Sequence, residues 1–292
     1  MNTGNVRILI TGSIEPARHG TPGGPAVRIC RALVSVGLRP ILAGTADHGL
    51  ANDLKQLAGQ GINTDFVGDA PVDLDPILRA APDLDVVLVG ADTPESMVRI
   101  AAQCRAARVP FAANPADRLR ELNSSQARDL AEGAHYLFTT GTERVQFVER
   151  TGWPEARIRE RIGVWLTTSA LAGIRIQPRG GAAASTITAL PPAETTAPGH
   201  RDERFVAGFL AGRHRYLPYA TAAQLGCLLA ATPPTARLDP GAALTAIGTT
   251  YGAIAAGRLA PLLNSVTVSA DPPLSIPRLQ QAQRSTAQVG PP

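Results

Sequence analysis

Asp85-Val-Val-Leu-Val-Gly90, continuing through Ala91-Asp-Thr-Pro-Glu-Ser-Met97 and a helical pattern to about Arg108, then Pro110-Phe-Ala-Ala-Asn-Pro115, decides the fold. A short continuous apolar run bounded by turn residues reads as a strand buried on both faces. Two such runs joined by a helix make a parallel βαβ unit. Runs of the same kind recur at Val6-Arg-Ile-Leu-Ile10, His135-Tyr-Leu-Phe-Thr139 and Val164-Trp-Leu-Thr-Thr168. The spacing predicts an α/β chain with a mostly parallel central sheet between two helical layers. Ile174–Gln177 and Ser185–Leu190 bracket a small-residue turn and read as an antiparallel hairpin at one edge.

At 292 residues, 44% of them hydrophobic, the chain can bury a sizeable core. One domain is expected over residues 1–265, with residues 266–292, rich in Pro, Gln and Ser, as an unstructured tail. No apolar run reaches membrane-spanning length and no signal-peptide pattern precedes Val6, so the expectation is a cytoplasmic protein with no membrane partner. The net charge of +4 comes from scattered arginines, Lys55 being the only lysine, and aromatic residues are 4% of the chain. That pattern argues against nucleic acid as a partner. Cys30, Cys104 and Cys227 sit in apolar helical patterns and read as small buried hydrophobes, without metal-ligand spacing. The sequence leaves the oligomeric state open.

The stretch to search for chemistry is Thr195-Thr-Ala-Pro-Gly-His-Arg-Asp-Glu-Arg-Phe-Val-Ala-Gly-Phe-Leu-Ala-Gly212. A turn-rich loop there opens a helix near His200, and a helix start offers unpaired N–H groups and a positive dipole end to an anion. Asp202 and Glu203 follow in the first turn. Each reads either as a helix cap or as a base that takes a proton from an attacking hydroxyl.

Phe205-Val-Ala-Gly-Phe-Leu210 after a Thr-Thr loop, with the Asp85–Pro115 unit, resembles the ribokinase/PfkB sugar-kinase family, and most of all its bacterial adenosine-kinase branch. The resemblance runs from about Val6 to Leu259. It implies a ribokinase-like three-layer α/β/α fold, a small-molecule ligand (sugar, nucleoside or nucleotide), and ATP with Mg²⁺ as cofactors if the chain is active. It also implies site positions: Glu203 and Asp202 as catalytic carboxylates; Gly199, His200 and Arg201 at the anion; Gly23, Gly24 and Arg28 at the substrate; Glu143 near the metal; Thr168 and Gly173 at the nucleotide.

Several of those positions depart from the family pattern. Ala17 stands where the family has a sugar-binding Asp, Arg28 where it has a sugar-binding Asn, and Thr140-Gly-Thr-Glu143 where it has Asn-x-x-Glu. His200-Arg201-Asp202 replaces the glycine loop, and Glu203 replaces the Asp base. Arg28 either meets an anionic ligand or faces solvent. Seventeen residues, Gly68 to Leu84, stand where the family inserts a β-stranded lid, which leaves room for one short helix.

Two functions remain. One is a catalytically impaired or inactive kinase paralogue that binds a nucleoside, nucleotide or anion; the other is a working ATP-dependent kinase on a sugar or nucleoside hydroxyl. The site losses favour the first.

Overall fold

The computed structural model describes residues 8–18, 21–46, 51–169, 173–181, 183–191, 198–233 and 238–265; the expected tail 266–292 and the loop 192–197 lie outside them. β1 (Ile8–Thr11) is followed by a small hairpin, β2 (Glu15–Arg18) and β3 (Thr21–Gly23), and then by α1 (Pro25–Val34). Next come β4 (Ile41–Thr45), α2 (Ala51–Gly59), β5 (Asn63–Gly68), α3 (Leu74–Ala80), β6 (Val86–Val89), α4 (Pro94–Ala107) and β7 (Phe111–Ala113). A 3-10 turn at Ala116–Glu121 leads to α5 (Ser124–Ala131), β8 (Tyr136–Thr140), α6 (Gly141–Thr151), α7 (Glu155–Arg161) and β9 (Val164–Ser169). The remaining described elements are β10 (Gly173–Pro178), β11 (Ser185–Ile187), α8 (Pro198–His214), α9 (Tyr219–Ala231), α10 (Pro240–Tyr251) and α11 (Ala253–Ser265).

Nine strands form one sheet in the order β11-β10-β9-β8-β7-β6-β1-β4-β5. The seven from β9 to β5 are parallel, and β10 and β11 make the antiparallel edge that the sequence predicts. Alternate side chains serve opposite faces. Ile8, Ile10, Leu88, Phe138 and Leu166 pack under α1, α8, α9 and α11, whereas Leu9, Val87, Val89, Leu137 and Trp165 pack under α3 to α7. Strands buried on both sides must be apolar at successive positions, which is why they are legible as unbroken runs.

Strand order reverses beside β1, whose neighbours are β4 and β6. In open parallel sheets the carboxyl ends at such a reversal leave a crevice where ligands bind. In one helical layer α8 packs between α1 and α9. α8 crosses α9 at glycines: a Cβ on Gly208 would stand 2.7 Å from Gly226 Cα, so the two backbones approach closer than any larger residue permits. That crossing holds the first turns of α8 against the sheet. A cluster of edge-to-face rings, Phe138 with Phe209 at 5.6 Å and Tyr136 with Phe209 at 5.3 Å, fills the space beneath it.

α8 starts at Pro198, one turn before Asp202, so the two acids follow its first turn rather than lying in it. Asn123 caps α5 through a reciprocal capping box with Gln126. α10 and α11 are separate helices, broken at Gly252 with φ 89°. α11 continues through Pro261 to Ser265. The β2–β3 hairpin was not anticipated, because its residues show no alternation. Only α3 occupies the segment between β5 and β6, as the length of that segment predicts. Among the described residues no helix is long and apolar enough to cross a membrane.

Candidate functional site

At the carboxyl edge of the sheet, β8, β9 and the β10–β11 hairpin meet α8 and α9 around a cleft of about 350 Å³. One wall is apolar, made by Ile174, Leu190, Phe205, Cys227 and Ala230. The other end is polar, made by Thr140, Thr142, Thr168, Ser169, Arg201 and Asp202. Burial pushes the Cys227 thiol up to about 11, so it is a neutral part of the wall rather than a nucleophile.

Successive residues on a helix point about 100° apart, a consequence of 3.6 residues per turn. Asp202 and Glu203 therefore part company. Asp202 faces the cleft and accepts a hydrogen bond from Thr168 Oγ1 at 2.8 Å. Glu203 turns towards α1, where the Arg28 guanidinium holds both its oxygens: Nη2 donates to Oε1 at 2.6 Å and Nε donates to Oε2. The pair is largely enclosed, with side chains 30% and 11% exposed.

Burial raises the Glu203 carboxyl above its ordinary range, and the hydrogen bonds and charge of Arg28 oppose that rise. With both oxygens facing a group that does not deprotonate, the Glu203 carboxylate is ionised at neutral pH. Burial also lowers the tendency of Arg28 to stay charged, but Glu203, Glu15 and Asp117 outweigh it and hold the guanidinium more firmly cationic than usual. Asp202 is likewise raised by burial, opposed by Thr168 and Arg201.

Glu143 sits three residues into the turn that opens α6. Its carboxylate accepts from the Thr140 N–H at 2.8 Å while its own N–H bonds Thr140 Oγ1 at 3.2 Å. Burial raises this carboxyl too, and Asp202 adds to the rise. Thr140, in place of the family's Asn, thus builds a capping box that occupies the acid.

The other expected positions are placed as follows. Gly24 precedes α1 with φ 95°, and a Cβ there would stand 2.7 Å from Ser13 O, so the loop after β1 demands glycine. Gly23 ends β3 beside it. Gly173 opens β10 with φ 80°, where a Cβ would strike Ile187 O at 2.2 Å; its neighbour Ile174 lines the cleft instead. Gly199 and His200 lie in the first turn of α8, and Arg201 and Thr168 line the cleft. The structure brings Arg201, Asp202 and Thr168 to one cleft, and Arg28 and Glu203 to a second cluster on the far side of the same helix turn.

No family model matches the chain. Solved structures do resemble it. The Burkholderia thailandensis nucleoside kinase in complex with inosine superposes with a TM-score of 0.73 at 23% identity, over 84% of this chain and 99% of that one. The Arabidopsis thaliana ribokinase complexed with ribose and ATP gives 0.67 at 12% identity, over 83% and 98%. A Methanocaldococcus jannaschii nucleoside kinase, described as an archaeal member of the ribokinase family, gives 0.64 at 14% identity, over 79% and 92%.

This chain has the ribokinase-like fold. On that scaffold the cleft joins an apolar wall to a polar end that carries hydroxyls. Among the described residues no group of three or more His, Cys, Asp or Glu is placed to hold an ion. Asp202 at the polar end also opposes a phosphate, and Arg201 beside it offsets part of that charge.

Sequence reasoning missed Ala189 and Leu190, which follow β11 and complete the apolar wall. It also missed the tie between Arg28 and Glu203, residues separated by 175 positions. The first had a signal in the apolar end of the hairpin; the second had none.

Proposed function

We propose that this ribokinase-like chain binds a nucleoside or nucleotide in the carboxyl-edge cleft and transfers phosphoryl groups poorly or not at all. The observation that carries the reading is the Arg28–Glu203 pair. A general base must present a lone pair to the hydroxyl it activates. Both Glu203 oxygens accept from one guanidinium, which turns the carboxylate towards α1 and opposes the proton uptake a base needs, and freeing it would leave an enclosed cation unpaired. Losing a positioned base typically costs about 10²–10⁴ in rate.

The short segment between β5 and β6 adds to this. It forms α3 and no stranded cover, so nothing from that segment would exclude water from the cleft. Inosine in the Burkholderia kinase, and ribose with ATP in the Arabidopsis enzyme, name the ligands to try first. ATP would place its base against Ile174, Leu190 and Ala230 and its phosphates near Arg201; it would supply the transferable group.

One observation favours the second reading, an active ATP-dependent kinase on a sugar or nucleoside hydroxyl. Asp202 faces the cleft, and burial shifts its carboxyl towards the range of a better base. The two readings separate in one experiment. Thermal shift with adenosine, inosine, ribose, ADP and ATP is followed by ATP-consumption assays on the wild type, Glu203→Ala and Asp202→Asn. The expected result is a higher Tm with a nucleoside and no substrate-dependent ATP consumption. Saturable turnover lost in Asp202→Asn establishes the kinase with Asp202 as base, and turnover lost in Glu203→Ala shows that the ion pair opens.

A further inference from the structure

At the opposite edge of the sheet, a second cleft of about 200 Å³ lies between the amino ends of β6, β7 and β8 and the last turn of α8. Its chemistry comes from Asp85, His135, Tyr136, Arg213, His214 and Tyr216. The fold reading assigns no role to this end of the sheet.

Arg213 is the cation of the cleft, and its head is fixed. Nε donates to Tyr136 Oη at 3.2 Å, a second N–H donates to Leu217 O, and the guanidinium lies 4.5 Å from the centre of the Tyr219 ring. A guanidinium carries five N–H donors in one plane, so this anchoring leaves donors for a planar acceptor. Burial holds His135 and His214 below the usual imidazole range, and Arg215 adds to the effect on His214. Both rings are then neutral at pH 7, the His135 ring bonded to the Gly133 backbone and the His214 ring to Asp85. The carboxylate among these residues, Asp85, is turned to His214, with Oδ2 at 3.1 Å from Nδ1.

Tyr216 supplies an independent observation. The N–H of Tyr216 bonds Arg213 O at 2.9 Å and that of Leu217 bonds Gly212 O at 3.0 Å, the pattern that ends a helix on a left-handed residue. Glycine takes that conformation without steric cost, yet here tyrosine holds it at φ 57°. The residue is 86% exposed, so burial in the core does not explain the choice. It borders the cleft.

We propose that this cleft is a second ligand site, taking a small planar aromatic carboxylate with its charge against Arg213 and its ring against Tyr216. One fixed cation flanked by neutral imidazoles matches a monoanion better than a phosphate dianion. A flat phenol at the mouth matches a ring.

The test is calorimetric titration of the full chain at pH 7 with benzoate, and separately with inorganic phosphate. Tyr216→Gly is the informative variant, because glycine is the ordinary residue at that backbone position and the helix end is kept; Tyr216→Phe retains the ring. The expected result is saturable benzoate binding, weakened at least ten-fold by Tyr216→Gly and little changed by Tyr216→Phe, with no saturable phosphate binding. Benzoate that fails to bind, or binds Tyr216→Gly as well as wild type, overturns the proposal. So does phosphate binding as tight as benzoate, which would make the cleft a site for inorganic anions.

Discussion

The two ends of the carboxyl-edge cleft differ in what they leave for a ligand to use. Along the apolar wall Ile174, Leu190, Cys227 and Ala230 present surface that a flat molecule can cover. At the polar end Thr168 is bonded to Asp202, Thr140 to Glu143 and, on the far side of the same turn, Arg28 to Glu203. Burying area needs only shape, whereas acid–base chemistry needs a group with a lone pair or proton to spare. A scaffold can therefore keep binding while its reactive groups satisfy one another.

The largest expected effect tests the closed end. Arg28→Ala leaves Glu203 enclosed without its counter-ion, and removal of one partner from a buried pair costs about 3 kcal/mol at the low end of the usual range, the 30% exposure of Arg28 keeping it there. Urea unfolding measures it, and the double variant Arg28→Met with Glu203→Leu should recover most of the loss. A cost below about 1 kcal/mol would mean that solvent screens the pair and that Glu203 is available for chemistry.

The next effect tests the open wall. Ala230→Phe places a ring in the slot without touching Asp202 or Glu203. Nucleoside affinity should fall at least ten-fold, about 1.4 kcal/mol, and the nucleoside-induced Tm shift should disappear. Unchanged binding by calorimetry would move the ligand off this wall.

The smallest effect is one of pH. Asp202 and Glu143 have folded values raised above their ordinary range of about 4, so the folded state favours their protonated forms. That contribution to stability is full below the unfolded values and is lost as pH rises through the folded ones. Asp202→Asn removes one such penalty while the amide oxygen still accepts from Thr168. The variant should gain about 0.5 kcal/mol at pH 7 and little at pH 4. Denaturation midpoints at the two pH values check it; a gain that grows towards low pH contradicts the sign.

Local pattern made most of the scaffold legible. Val86–Val89 and Val164–Leu166 are apolar at every position because helices cover both faces of the strands. Asn123 and Gln126, three residues apart before an apolar helical pattern, carry the capping signal of α5. Gly252 split a helix because a glycine at φ 89° ends one, while Ala-rich sequence on both sides reads as continuous. The rings of Tyr136, Phe138 and Phe209 meet only once β8 is beneath α8.

From residue order alone come the parallel layer, the edge hairpin, the shortened segment before β6 and the presence of two acids at the start of α8, because periodicity and turn chemistry act over a few residues. Which acid faces the cleft, and which is held by Arg28, only the assembled molecule decides. The α8–α9 crossing at Gly208 and Gly226 fixes the rotation of that helix, and a contact across 175 residues depends on rotation rather than on any neighbour in the chain.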